Sequence, residues 1–236
     1  DGTVKIYGDA SNIAVMDFSG CYISELEMAQ MPNLYYLNLE HNELGALDLD
    51  GQTSLQYLTL TDNAFDKQPL KVGNDKPNLM VLEIGQVGQL DPSFSLRDYP
   101  ALVSFDAYAC KSLTQVDPTG CPNLQRLSLD GTGVSSLDVS ANPTLTILNI
   151  SDTNISEIDL KNLQWLQQLY VDRQGTQTKI KSLDVTANKN LVYLFAAGND
   201  LKSIDLTQNT YLQQLYLADN LLSEIDLSQN VNLINV

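Results

Sequence analysis

Leu212–Leu233 reads LQQLYLADNLLSEIDLSQNVNL, and its spacing decides the architecture. Leu212, Leu215 and Leu217, followed by Asn220 and Leu222, spell LxxLxLxxNxL. The same phase starts at Ile13, Leu34, Leu55, Leu79, Leu102, Leu124, Leu145, Leu166, Leu191, Leu212 and Leu233, in steps of 21 to 25 residues, six of them 21. A unit this short cannot bury an apolar face alone. Each coil must lie on the next, so the core runs along the whole stack. One domain is expected rather than two. Residues 1–12 are read as an N-terminal capping strand and turn, because TVKIYG alternates apolar and polar. Residues 13–236 are read as about ten coils plus the start of an eleventh.

Periods of 20–29 residues with this leucine spacing are those of leucine-rich repeats. In each unit the residues three and five after the first apolar position point inward, and those two, four and six after it point outward. The inward set includes Leu37 and Leu39, Leu58 and Leu60, Leu127 and Leu129, and Leu215 and Leu217. The fold class that follows is an α/β-type leucine-rich repeat solenoid, mostly β. It is a right-handed coil with a parallel sheet on one wall, short strands and turns on the other, and shallow curvature. Eleven strands are expected in the sheet.

Three further columns are read as structural. Asn42, Asn63, Asn199 and Asn220 hold the eighth position, where a buried carboxamide donates and accepts at the end of the strand. Cys21, Cys110, Thr132 and Thr153 replace it elsewhere. The triplets around Asp48, Asp138, Asp159, Asp184, Asp205 and Asp226 are apolar–Asp–apolar, which predicts a short strand on the far wall followed by an aspartate-capped turn. They do not form a calcium ladder, because ligands for that ion converge within one loop. Before each new repeat the chain uses MPNL, KPNL, YPAL or CPNL early on, and NxxL later, with Asn142, Asn188, Asn209 and Asn230 at a position shared by Met31, Tyr99 and Cys121.

The units LDVSANPTLTILNI, LDVTANKNLVYLFAAGNDL and IDLTQNTYLQQLYLADNLL resemble the 21-residue repeats of bacterial surface proteins of the internalin type. The resemblance covers about residues 13–236 and is specific for fold. It implies an exported, cell-surface recognition module, part of a longer protein, and it carries over no catalytic residue. Leu233, Ile234 and Val236 begin a coil with no polar cap after it, so the polypeptide is expected to continue past Val236.

The composition narrows the partner. A net charge of −16, from 29 acidic and 13 basic residues, repels phosphate backbones and anionic lipid headgroups, so neither nucleic acid nor a membrane surface is expected. Solubility and selection of a basic partner are both open as its purpose. No apolar run approaches the roughly 20 residues of a membrane span. Three buried thiols are expected at Cys21, Cys110 and Cys121. The first two lie four coils apart, about 19 Å at the inter-strand spacing, beyond disulfide reach.

No constellation for chemistry emerges. His41 is the sole histidine, flanked by Glu40 and Glu43, and is read as a solvated surface residue. Glu83, Asp106 and Asp130 sit on neighbouring outward positions and are read as scaffold charge without a cleft. GxSxG, CxxC, HExxH and phosphate loops do not occur. The sequons at Asn149 and Asn154 fall on repeat positions that explain themselves. No enzyme activity, metal or cofactor is expected.

The outward wall carries Tyr36, Tyr57, Tyr108, Tyr170, Tyr193 and Tyr216 of the chain's 11 tyrosines. These positions have no packing duty in the repeat, so the aromatics point either to a recognition surface or to cross-strand stacking. The longest step, 25 residues, places an insertion between Val171 and Ile180, in DRQGTQTK, beside the richest aromatic patch. The expected ligand-binding residues are Gln168, Tyr170, Asp172, Arg173, Tyr193, Phe195, Gln214 and Tyr216, with the loop supplying Arg173 and Lys179 as cations. A protein partner leads. A carbohydrate stacked on Tyr170, Tyr193 and Tyr216, or a passive spacer role, is the alternative.

Overall fold

The computed structural model describes residues 9–91, 94–175 and 177–236. The capping strand expected in Thr3–Gly8 lies outside them. Ten three-residue strands follow in chain order: β1 Val15–Asp17, β2 Tyr36–Asn38, β3 Tyr57–Thr59, β4 Val81–Glu83, β5 Ser104–Asp106, β6 Arg126–Ser128, β7 Ile147–Asn149, β8 Gln168–Tyr170, β9 Tyr193–Phe195 and β10 Gln214–Tyr216. They form one sheet in sequential order. Every pairing is parallel and in the register of the leucine column, as in Leu58↔Leu82 and Leu169↔Leu194. The eleventh coil contributes a single bridge, Gln214↔Asn235, rather than a strand. Nine gaps of about 4.8 Å give a sheet roughly 43 Å long.

The central residue of each strand faces inward, where Leu37, Leu58, Leu82, Phe105, Leu127, Leu148, Leu169, Leu194 and Leu215 are all at most 1% exposed. Each such side chain contributes about 1.5–3 kcal/mol relative to exposure. Helix is almost absent. Single 3-10 turns occur at Ala10–Asn12, Leu96–Asp98 and Pro118–Gly120, each opened by a side chain at its N-cap.

After each strand the chain turns by the same device. Seven residues beyond the first apolar position, nine coils place a residue with φ between 48° and 71°: Gly20, His41, Asp62, Gln86, Ala109, Gly131, Asp152, Gly198 and Asp219. The left-handed turn costs a side-chain-bearing residue about 1–2 kcal/mol. It also carries the ladder two residues past the strand, through bonds such as His41 N–H to Thr61 O and Asp62 N–H to Gly85 O, 2.9 and 2.8 Å. The asparagine column completes the turn. Asn42 Oδ1 accepts from the N–H groups of Cys21 and Ile23, while its Nδ2 donates to the carbonyls of Phe18 and Leu39. Asn63, Asn199 and Asn220 repeat the pattern. Thr132, Thr153 and Cys110 keep the donor half, to Leu129 O, Ile150 O and Ile84 O, and Thr153 Oγ1 also accepts the Ile155 N–H at 3.5 Å. Cys21 departs from expectation: it is exposed, and its Sγ donates to Ser19 O at 3.5 Å. Cys110 and Cys121 are buried and unpaired, with burial pushing each thiol up to about 11.

The far wall also departs from expectation. The Asp-centred triplets are not strands, and among the described residues the only far-wall bridge is Leu70↔Leu90. Each aspartate ends its own extended stretch two residues later. The carboxylates of Asp48, Asp138, Asp159, Asp184, Asp205 and Asp226 accept the N–H of Asp50, Ser140, Lys161, Thr186, Thr207 and Ser228 at 2.8–3.0 Å. No group of three metal-ligating side chains occurs among the described residues. Hydrogen bonds from the residue two positions on hold Asp138, Asp184, Asp205 and Asp226 below the ordinary 3.8. Depressed carboxyls stabilise the fold above their unfolded pKa, and that contribution disappears as pH falls through the folded value. Lowering pH from 6 to 3 is therefore expected to lower the melting temperature. Asn at positions 138, 184 and 205 keeps the acceptor but cannot titrate, so the triple variant should show a shallower acid limb. An unchanged limb would remove these caps from the acid response.

Candidate functional site

Strand register sorts the outward side chains into two rows. The first residue of each strand gives Tyr36, Tyr57, Val81, Ser104, Arg126, Ile147, Gln168, Tyr193 and Gln214 from β2 to β10; the third residue gives the row that ends Asn149, Tyr170, Phe195 and Tyr216. Three zones follow along the wall. Near the N-terminus Tyr36 and Tyr57 meet with ring centroids 6.2 Å apart and tilted by 41°.

The middle zone is acidic. Glu83 pairs in register with Asp106, and Arg126 Nη2 contacts Asp106 Oδ2 at 2.9 Å. These residues, with Glu40 and Asp130, line a shallow hollow of ≈ 380 Å³. Burial, and then the charge of Asp106, raises Glu83. Burial, and then Asp152, raises Asp130. The carboxylates expected to carry no catalytic cleft thus lie together on an open sheet.

The C-terminal zone holds the expected site. Tyr170 and Phe195 stack at 5.0 Å and 27°, and Phe195 and Tyr216 at 4.5 Å and 17°, so three rings form one pile across β8, β9 and β10. Tyr193 stands in the other row, between Gln168 and Gln214. Gln168 Oε1 accepts the Tyr170 hydroxyl at 3.0 Å. Asp172 borders the pile and is fixed by the Ala197 N–H, 2.8 Å from its Oδ1. Burial raises its pKa, with the charge of Asp152 adding to the rise.

Arg173 is not in the patch. Expected as an exposed cation, it is 1% exposed, with Nη1 donating to Ile150 O at 2.6 Å and Nη2 to Ile155 O at 3.0 Å. Gln174 stands where four other coils have asparagine, and the guanidinium reaches the preceding coil's carbonyl as those asparagines do. Arg173 is also the one residue of its column outside the left-handed set. Burial draws its pKa down to about 10, so it stays charged at neutral pH. Lys179 turns back as well, with Nζ on Arg173 O at 2.8 Å. Asp152 Oδ1 accepts the N–H groups of Gln174 and Gly175, both at 2.7 Å, which ties the start of the loop to the preceding coil. Thr176, within the inserted stretch, lies outside the described residues. His41 is exposed, as expected, but faces Asp62 with Nδ1···Oδ2 3.0 Å, and that hydrogen bond raises its pKa. Among the described residues no helix is long and apolar enough to cross a membrane.

Residues 141–163 match the family model described as Leucine Rich repeat. No curated protein matches the sequence. Among solved structures, the functional domain of InlJ from Listeria monocytogenes is similar at 23% identity and a TM-score of 0.63, over 96% of this chain and 58% of that one. An internalin (inlF) from Listeria monocytogenes str. 4b F2365 is similar at 17% identity and a TM-score of 0.59, over 96% and 87%. The Toll–Spatzle complex of Drosophila matches at 19% identity and a TM-score of 0.66, over 95% of this chain and 33% of that one. At these identities the likeness is one of fold.

Proposed function

We propose that this leucine-rich repeat solenoid is a non-catalytic recognition module at the surface of a bacterium, binding a protein partner through the outward wall of its sheet. The observation that carries the reading is the pile Tyr170–Phe195–Tyr216, three large rings held on an open surface by two stacking contacts. Stacking fixes the rings before binding, so little side-chain entropy is lost when a partner arrives. Their exposed edges, with the hydroxyls of Tyr170 and Tyr216, offer the mixed apolar and polar contact typical of protein interfaces. The acidic zone beside them selects for a basic partner surface. Solved structures similar in fold include a protein complex, in keeping with a binding role. Sugar binding on this patch has less support, because Phe195 is stacked on both sides and Tyr193, a platform of that reading, stands in the other row.

The test places a photocrosslinking residue at position 214, on the wall, or at position 138, on the far side. Capture of a host or neighbouring-cell protein is expected from position 214 only. Phe195→Ala removes the middle ring and should weaken that partner by about 2 kcal/mol or more, roughly 30-fold, the range of a central aromatic anchor. Equal capture from both positions, or an affinity untouched by Phe195→Ala, would sink the proposal and favour a passive spacer.

A further inference from the structure

A second surface, on the edge of the sheet rather than its outward wall, has the chemistry of a sugar site. The residue just before the first apolar position forms a row along that edge, which in the last coils reads Trp165, Asn190, Tyr211 and Asn232. Trp165 is the only tryptophan of the chain. It is 63% exposed, and Tyr211 is 60% exposed. Asn190 Nδ2 donates to the carbonyl of Gln164, next to Trp165, and Asn232 Nδ2 donates to that of Thr210, next to Tyr211, each at 2.8 Å. Both carboxamides are thereby pinned to the carbonyl just before an aromatic residue, with Oδ1 left to accept. Gln167 and Gln213 project alongside them, and their side chains make no hydrogen bond among the described residues. Four carboxamides, Tyr211 and Val192 enclose a shallow cleft of ≈ 460 Å³.

A single exposed aromatic on a protein surface needs no explanation. The setting does. The chain carries a net charge of −16, yet none of the six residues lining this cleft is charged. Carboxamides donate and accept at once and match neither a cation nor an anion, but they match neighbouring hydroxyls, each of which also donates and accepts. An exposed ring face beside them supplies the apolar plane on which the C–H face of a pyranose rests. Trp165 and Tyr211 are two coils apart, about 10 Å, close to one disaccharide step of an extended, equatorially linked chain. We infer that this edge binds a neutral β-1,4-linked hexopyranose oligosaccharide, with Trp165 and Tyr211 as platforms and Asn190, Gln167, Gln213 and Asn232 as hydroxyl partners. The acidic surface disfavours uronic-acid chains. This site is separate from the aromatic pile and stands whether or not the pile binds a protein.

Because Trp165 is the only tryptophan, its emission reports this site alone. Titration of the intact chain with cellohexaose, mannohexaose and chitohexaose is expected to give a saturable blue shift with at least one of them and none with a polygalacturonate oligomer. Tyr211→Ala should weaken that binding about tenfold, a loss of roughly 1.4 kcal/mol, and Trp165→Ala should do the same by calorimetry. Both side chains are largely exposed, so the fold survives their removal. Tyr216→Ala, on the outward wall, should leave the affinity unchanged. Absence of any spectral change at 10 mM of all three neutral hexasaccharides overturns the proposal. So does binding that is lost in Tyr216→Ala and retained in Tyr211→Ala.

Discussion

Gly198→Ala is expected to destabilise the chain by about 3 kcal/mol or more, because two independent costs meet there. Gly198 has φ +71°, and an added Cβ would lie 2.3 Å from Arg173 O. That carbonyl cannot recede freely, since Lys179 Nζ holds it and the Arg173 N–H is itself bonded to Ala197 O at 2.9 Å. Gly131 separates the two costs. It sits at the same turn of another coil with φ +69°, but its added Cβ would meet nothing nearer than Ala109 Cα at 3.5 Å. Gly131→Ala should therefore cost only the left-handed conformation, about 1 kcal/mol. Thermal unfolding of both variants checks the argument: the Gly198 variant should melt several degrees below the Gly131 variant. Equal melting temperatures would show that the loop backbone yields to the new methyl group.

Arg173→Leu is expected to cost about 3 kcal/mol at pH 7, although leucine suits a buried position by hydropathy. The Ile150 carbonyl keeps the Thr153 hydroxyl at 2.8 Å, but the Ile155 carbonyl loses the guanidinium that reaches it. The charge matters as much as the bonds. Arg173 is the cation that offsets Asp130 and Asp172, both already raised by burial and by neighbouring carboxylates. Without it these carboxyls rise further. A carboxyl raised in the folded state favours folding below its unfolded pKa, and that contribution is lost as pH rises through the folded value. The defect of Arg173→Leu should accordingly shrink as pH falls from 7 toward the ordinary carboxylate range, while Gly198→Ala shows no such recovery. A pH-independent defect would mean that only the hydrogen bonds matter.

The leucine phase read from the sequence reproduces every strand from β1 to β10, because inward and outward positions follow from the period alone. The insertion is also legible to within a few residues, since the aspartate-capped turn reappears four positions late. Arg173 was not, because an arginine in a polar loop normally points to solvent. A signal exists even so. Gln174 occupies the column where most coils carry asparagine, threonine or cysteine, and Arg173 beside it is the long donor that can reach back to the preceding coil's carbonyls. The aromatic pile was half legible. The phase already sets Tyr170, Phe195 and Tyr216 four places after their first apolar residues and Tyr193 two after, but only the structure shows that the three rings stack. The far wall misled because alternation predicts an extended stretch and says nothing of whether neighbouring stretches bond to each other.

The buried residue three places ahead of each repeat is asparagine in four of the later coils, with Leu163 among them, and is varied nearer the N-terminus. Asn142, Asn188, Asn209 and Asn230 are each at most 3% exposed and donate only to main-chain carbonyls of the preceding coil, such as Val185 O and Asn188 O for Asn209. At the same place nearer the N-terminus, Lys76 pairs with the Asp75 side chain, and the Tyr99 hydroxyl reaches across to Gly73 O. A contact made to backbone alone does not depend on which amino acids the neighbour carries. Coils of the asparagine kind are therefore interchangeable units: duplicating or deleting a whole 21-residue step among them leaves every such bond with a partner. Lys76 alone among the residues at this place depends on a side chain, and that side chain is Asp75 of its own coil, whereas the Tyr99 bond again ends on backbone. Length in this chain can therefore drift by whole units where coils of the asparagine kind adjoin.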